Sequence, residues 1–133
     1  MSKIRRVISP HVPEPPEGTF SNCLVAGGIA YIAGITARGS DLGSNVDGSM
    51  YEQSRTIFSK IRALLEAADG AMSDITKLTI FVTDISLGEQ VWRARREFFT
   101  SNFPASTLVE VSALAHPTMK VEIEAVAHIG VAT

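Results

Sequence analysis

Apolar residues occupy every second position from Met119 through Val121, Ile123 and Ala125 to Ala127. That period of two belongs to a β-strand, here spanning about Thr118 to His128. Side chains two residues apart share a face, so Glu122 and Glu124 point together, away from the apolar set. Leu78, Ile80 and Val82 alternate in the same way with Lys77, Thr79 and Phe81, which predicts a strand over 75–82. Cys23–Ala26 and Ile29–Ala33 flank Gly27-Gly28, a turn pair that marks a β-hairpin. Ala105–Ser112 reads as a further strand, joined to the last by a short connection over 113–117.

Elsewhere the period becomes helical. Tyr51, Ile57, Phe58, Ile61, Leu64, Leu65 and Ala68 fit a helix starting near Ser49 and stopped by Gly70. A second helix is expected over 88–100, through Val91, Trp92, Arg95 and Phe98-Phe99. Pro10, Pro13, Pro15 and Pro16 make residues 1–18 an extended leader rather than a helix. Residues 37–48, with Arg38, Gly39, Ser40, Asp41, Gly43, Ser44, Asn45, Asp47 and Gly48, read as an exposed loop.

The predicted order is β-β-α-β-α-β-β, an α+β fold with a single sheet and two helices on one face. The opposite sheet face keeps many apolar residues and has no helix left to cover it. Burial against another copy of the chain is the expected outcome.

Composition narrows the function classes. At 133 residues the chain is expected to form one domain, 1–133, and its 45% hydrophobic and 20% charged content is that of a folded globular protein. A net charge of -2 gives no basic surface for nucleic acid or anionic membrane, so neither is expected as a partner. The single cysteine, Cys23, fits a buried inert thiol in a reducing compartment, and no apolar run approaches bilayer length. Lys3, Arg5 and Arg6 precede a proline-rich stretch instead of an apolar signal core, and a cytoplasmic location is expected. His11, His116 and His128 lie far apart with no ligand-spaced partner, so no metal site is expected. Arg93, Arg95, Arg96, Lys60 and Arg62 read as solvated helix faces.

Several segments carry a family likeness in a fixed order. Gly18-Thr-Phe-Ser-Asn-Cys23 stands where a Gly-Pro-Tyr-Ser-Gln-Ala signature would, and Ile29-Ala-Tyr-Ile-Ala-Gly34 resembles a Val-Tyr-Val-Ser-Gly strand. Gln53, Arg55 and Leu65-Glu-Ala-Ala68 with Gly70 match a first helix, and Thr79-Ile-Phe-Val-Thr-Asp84 a following strand. Glu97-Phe-Phe99, Phe103-Pro-Ala105, Val109-Glu-Val111 and Val121-Glu-Ile-Glu-Ala125 complete the series. Together they resemble the reactive intermediate deaminase family, the YjgF-like proteins also labelled RidA.

The resemblance implies a chorismate-mutase-like fold, a homotrimeric barrel with small-molecule pockets between subunits, and hydrolysis of enamines or imines to ammonia and a keto product. No metal or organic cofactor is implied. The first Glu of the Glu-Ile-Glu motif would be the catalytic group, which is Glu122 here. Phe20, Ser21 and Gly34, with Trp92 and Ser106, would line the substrate pocket.

Three positions depart from the family pattern. Ser106 stands where the family's Pro-Ala-Arg-Ser segment has a carboxylate-binding Arg, Phe20 replaces a Tyr, and Trp92 replaces an Asn. A hydroxyl cannot reproduce a guanidinium fork, so a less anionic or bulkier substrate is expected. A trimer that binds a small metabolite without catalysis is the alternative reading. Ribonuclease or translation-inhibitor activity, a label on some relatives, fits this acidic chain least.

Overall fold

The structure, a computed structural model, describes residues 3–39 and 47–132. Most of the expected 37–48 loop, residues 40–46, lies outside the described residues. Among the described residues six strands form a single sheet: β1 (Ile4–Val7), β2 (Cys23–Ala26), β3 (Ile29–Ile35), β4 (Ile75–Val82), β5 (Ala105–Glu110) and β6 (Val121–His128). Their spatial order is β1-β2-β3-β6-β4-β5, with β4 and β5 parallel and every other neighbouring pair antiparallel. The helices are α1 (Met50–Ala67) and α2 (Gly88–Arg95).

The leader supplies one strand more than the pattern predicts. Ile4–Val7 pairs with Cys23–Ala26, and only the proline-bearing part that follows stays irregular. Ile4, Arg5 and Arg6 are exposed and only Val7 is buried, so the strand shows no alternating pattern. The hairpin forms as expected, with Gly27 and Gly28 both at positive φ (57° and 76°), as its two-residue turn demands.

Helix α1 begins at a reciprocal cap. Ser49 Oγ accepts from the Glu52 N–H at 3.1 Å, and the Ser49 N–H donates to Glu52 Oε1 at 3.2 Å. Its other end corrects the expectation placed on Gly70. Asp69 takes the left-handed conformation (φ 64°), while the Gly70 N–H closes back on Leu65 O at 2.7 Å. Helix α2 ends at Arg95, earlier than expected, and a turn carries Phe98 and Phe99 onto Phe58 with ring centroids 5.4 and 5.9 Å away.

Val121, Ile123, Ala125 and Ala127 of β6 are buried beneath α1, whose Ile57, Phe58, Ile61, Leu64 and Leu65 are fully enclosed. Helix α2 packs against α1 through the buried Val91 and Ala94, so both helices lie on one face. Tyr31 and Val109 are exposed on the other face, beside Glu122, Glu124 and Val126. No helix among the described residues is long and apolar enough to cross a membrane.

Candidate functional site

Glu122 lies near the middle of the sheet because β6 inserts between β3 and β4. Its register is held from α1: buried Gln53 donates to Thr118 O at 2.9 Å and accepts the Lys120 N–H at 2.9 Å. These bonds pin the backbone immediately before β6. On the other side the β3–β6 pairing slips between Ile32↔Ala125 and Ile35↔Ile123, a β-bulge that adds one residue to β3. The bulge includes Gly34, and the Glu122 side chain lies against it. A methyl group at residue 34 would sit 2.9 Å from both Cδ and Oε1 of Glu122.

Burial, and then the neighbouring charge of Glu124, push the Glu122 carboxyl above the usual glutamate range. Glu124, two residues on and roughly 7 Å away along the strand, is exposed. The two carboxylates therefore share a face but not an environment. A half-buried carboxylate with raised proton affinity is a better proton acceptor than an ordinary glutamate, and is suited to taking and returning a proton.

Phe20 and Ser21 come from the segment before β2. Phe20 lines two adjoining clefts: one of about 570 Å³ over Tyr31, Ala33 and Glu124, and one of about 390 Å³ bounded by Gly34, Thr36 and the proline segment. Ser21 lines the first of these. Asn22 Nδ2 donates to Pro13 O at 2.9 Å, which holds the proline segment over the second cleft. Phe20, Ser21, Gly34 and Glu122 thus belong to one region.

Trp92 and Ser106 do not join them within one chain. Ser106 pairs with Leu78, while Glu122 pairs with Phe81 on the far side of β4. That register puts them roughly 10 Å apart across the sheet, about as far along it, and on opposite faces. Trp92 is packed partly against the core and also lines a cleft of about 490 Å³ with Arg95, Arg96, Phe99 and Phe103.

Two residues read as solvated from sequence are placed otherwise. Lys60 is 2% exposed, and its Nζ donates to Thr36 O at 2.8 Å and Arg38 O at 2.5 Å. Burial lowers its pKa to about 8. Its spacing with Gln53, Ile57 and Leu64 would have put it on the buried face of α1. Arg95 is half-buried: its Nη1 donates to Ser106 Oγ at 3.0 Å, and its guanidinium lies 4.0 Å over the Trp92 ring. The three-residue step from Trp92 to Arg95 is the signal that could have paired them. Burial, followed by the like charge of Arg96, lowers the Arg95 pKa. The cation expected to be missing near residue 106 is therefore present, delivered by α2 instead of β5.

Cys23 is fully buried, and burial raises its thiol to about 11, the inert state expected of it. His116 stays in the exposed loop before β6, with Nδ1 3.0 Å from Thr118 Oγ1.

Among the described residues, a single mixed sheet, two helices on one face and a carboxylate held over a glycine bulge define an α+β class of protein with its candidate site on the helix-free sheet face. The family described as Endoribonuclease L-PSP matches residues 12–129. The chain belongs to this family, the RidA/YjgF group. It is 31% identical over 126 residues to the human protein named 2-iminobutanoate/2-iminopropanoate deaminase, covering 95% of this chain and 91% of that one. A RutC family protein of Pyrococcus horikoshii is 31% identical over 125 residues, covering 94% and 98%. Among solved structures, a Pseudomonas aeruginosa protein of unknown function superposes with TM-score 0.87 at 36% identity, covering 100% of this chain and 99% of the other. A conserved Rid family protein of Yersinia pestis does so with TM-score 0.87 at 31% identity, covering 95% and 99%.

Proposed function

We propose that this protein is a hydrolytic deaminase of enamine or imine intermediates, acting on a substrate bulkier than the smallest amino-acid-derived imines. The observation that carries the reading is the Glu122 carboxylate, half-buried, seated against Gly34 and held above its usual pKa. The likeness to the human protein named 2-iminobutanoate/2-iminopropanoate deaminase supports it.

Water adds to the C=N carbon as Glu122 takes its proton. Glu122 returns that proton to nitrogen, giving a carbinolamine. The carbinolamine hydroxyl then yields the second proton, again by way of Glu122, to the same nitrogen as the C–N bond breaks, the C=O forms and ammonia leaves with a keto product. Proton transfers alone balance the reaction. Because Glu122 and the Trp92–Ser106 pair sit on opposite faces of one sheet, a pocket using both sets requires a second copy. A homotrimer with pockets between subunits meets that need. The space left by Ser106 in place of an Arg and the aromatic faces of Trp92 and Phe20 favour a bulkier substrate.

Ammonia release from a panel of freshly generated imines tests the reading. Glu122→Gln should lower turnover by about 10²–10⁴-fold, the usual worth of acid–base help, while Glu124→Gln should retain most of it. The wild-type rate should fall in acid with a midpoint above that of an ordinary glutamate, since protonation removes the base. Glu124→Gln, by removing the like charge, should move that midpoint down. Equal losses from the two variants would reassign the base. No ammonia from any imine would leave only a metabolite-binding role.

A further inference from the structure

The cleft beside α2 contains an arrangement that residue 106 alone does not explain. Ser106 uses one N–H of the Arg95 guanidinium, and no other hydrogen bond reaches that group among the described residues. A guanidinium carries five N–H donors in a planar fork. The ion pairs nearby are Arg55–Glu97 and Arg96–Glu89, and neither engages Arg95. The Trp92 ring, 4.0 Å away, fixes the plane of the fork, and Ser106 fixes its rotation. Phe99 and Phe103 supply apolar walls, and Arg96 adds a second positive charge. A partly desolvated guanidinium whose remaining donors have no protein partner among the described residues is set up to receive an anion.

We propose that Arg95 is the carboxylate-binding residue of this protein, and that the cleft it shares with Trp92 takes an anion carried on a planar or apolar body. The carboxylate receives the free edge of the guanidinium, two parallel N–H···O bonds being the geometry that such a fork favours. The attached body lies along Trp92, Phe99 and Phe103. Ser106 is a positioning residue that aims the guanidinium. The cleft volume of about 490 Å³ accommodates a small organic acid. That this acid is the deaminase substrate rests on the function proposed above. With Arg95 in place, the less anionic substrate expected from Ser106 gives way to a bulkier one that keeps its carboxylate.

Trp92 is the single tryptophan of the chain, so its emission reports the cleft directly. Benzoate and its neutral counterpart benzamide are the probes, titrated by Trp92 fluorescence and by calorimetry. Benzoate should bind saturably and at least about ten-fold more tightly than benzamide, the difference expected of a charge-assisted hydrogen bond. Arg95→Gln should erase that preference. Arg95→Lys should keep part of it, since it retains the charge without the fork, and Ser106→Ala should weaken benzoate less than Arg95→Gln does. Circular dichroism confirms that each variant is folded.

Equal binding of benzoate and benzamide, unchanged benzoate affinity in Arg95→Gln, or no binding of benzoate at millimolar concentration would overturn the assignment. Ammonia release is measured alongside. Arg95-dependent benzoate binding in a protein that deaminates no imine upholds the clamp and rejects the deaminase. Deamination unaffected by Arg95→Gln, with both probes bound alike, does the reverse.

Discussion

An absent methyl group at position 34 decides where the Glu122 carboxylate rests. The residue lies in a bulge, and the atoms its Cβ would meet are the flexible end of one side chain rather than backbone. Gly34→Ala should therefore leave the fold intact, because Glu122 can swing aside. Activity should not survive as well: displacing a reacting group by about 1 Å can cost on the order of 10²-fold. Thermal denaturation alongside the ammonia assay checks this, and equal melting with equal turnover would show that the contact is incidental. The motif around Glu122 is readable in the chain, since alternation alone puts two acids on one strand face. Gly34 is readable only as a residue type. Its role depends on a slip in pairing between strands about ninety residues apart in the chain, which no local pattern encodes.

Lys60 couples helix α1 to the segment leaving β3, which lines the cleft beside Gly34. Lys60→Met should leave the Thr36 and Arg38 carbonyls without this donor and cost about 1–3 kcal/mol in urea denaturation. The sign of the pH effect follows from proton counts. The folded pKa of about 8 lies below the unfolded value near 10.5, so between them the unfolded chain binds more protons. This lysine's contribution to stability should thus rise as pH increases from about 8 toward 10.5, and Lys60→Met should flatten that part of the curve. A slope unchanged by the substitution would contradict the assignment. The same helix shows what elements reveal in sequence. Its core stripe and Ser49 cap are legible because both are local. Lys60 is obscured by its charge although its spacing is that of a core position, and Asp69 by the usual preference for glycine at a left-handed cap. Strand β1 escapes notice because an edge strand with exposed side chains has no alternation to read.

Across the whole molecule, the helix-free sheet face carries Tyr31 at 50% and Val109 at 38% exposure, flanked by Phe81 and Val126. Covering it in a closed ring should yield a trimer, and sedimentation showing a stable 14.3 kDa species at micromolar concentration would refute this. The bare sheet face itself is legible in the sequence, since the pattern offers only two helices and places both on one side. The division of Glu122 and Ser106 between opposite faces is not, because it depends on the register of β5 and β6 against β4. The position of β6 also has a temporal consequence. It follows every other described strand in chain order yet fills the gap between β3 and β4, so those two remain unjoined until it arrives. During synthesis a nascent chain can form its hairpin and first helix early, but it has neither a continuous sheet nor Glu122 in place until residues 121–128 clear the ribosome. Strand pairs this distant in sequence close late at a cost in chain entropy, so the insertion that completes the core is also the one that carries Glu122 to the middle of the sheet.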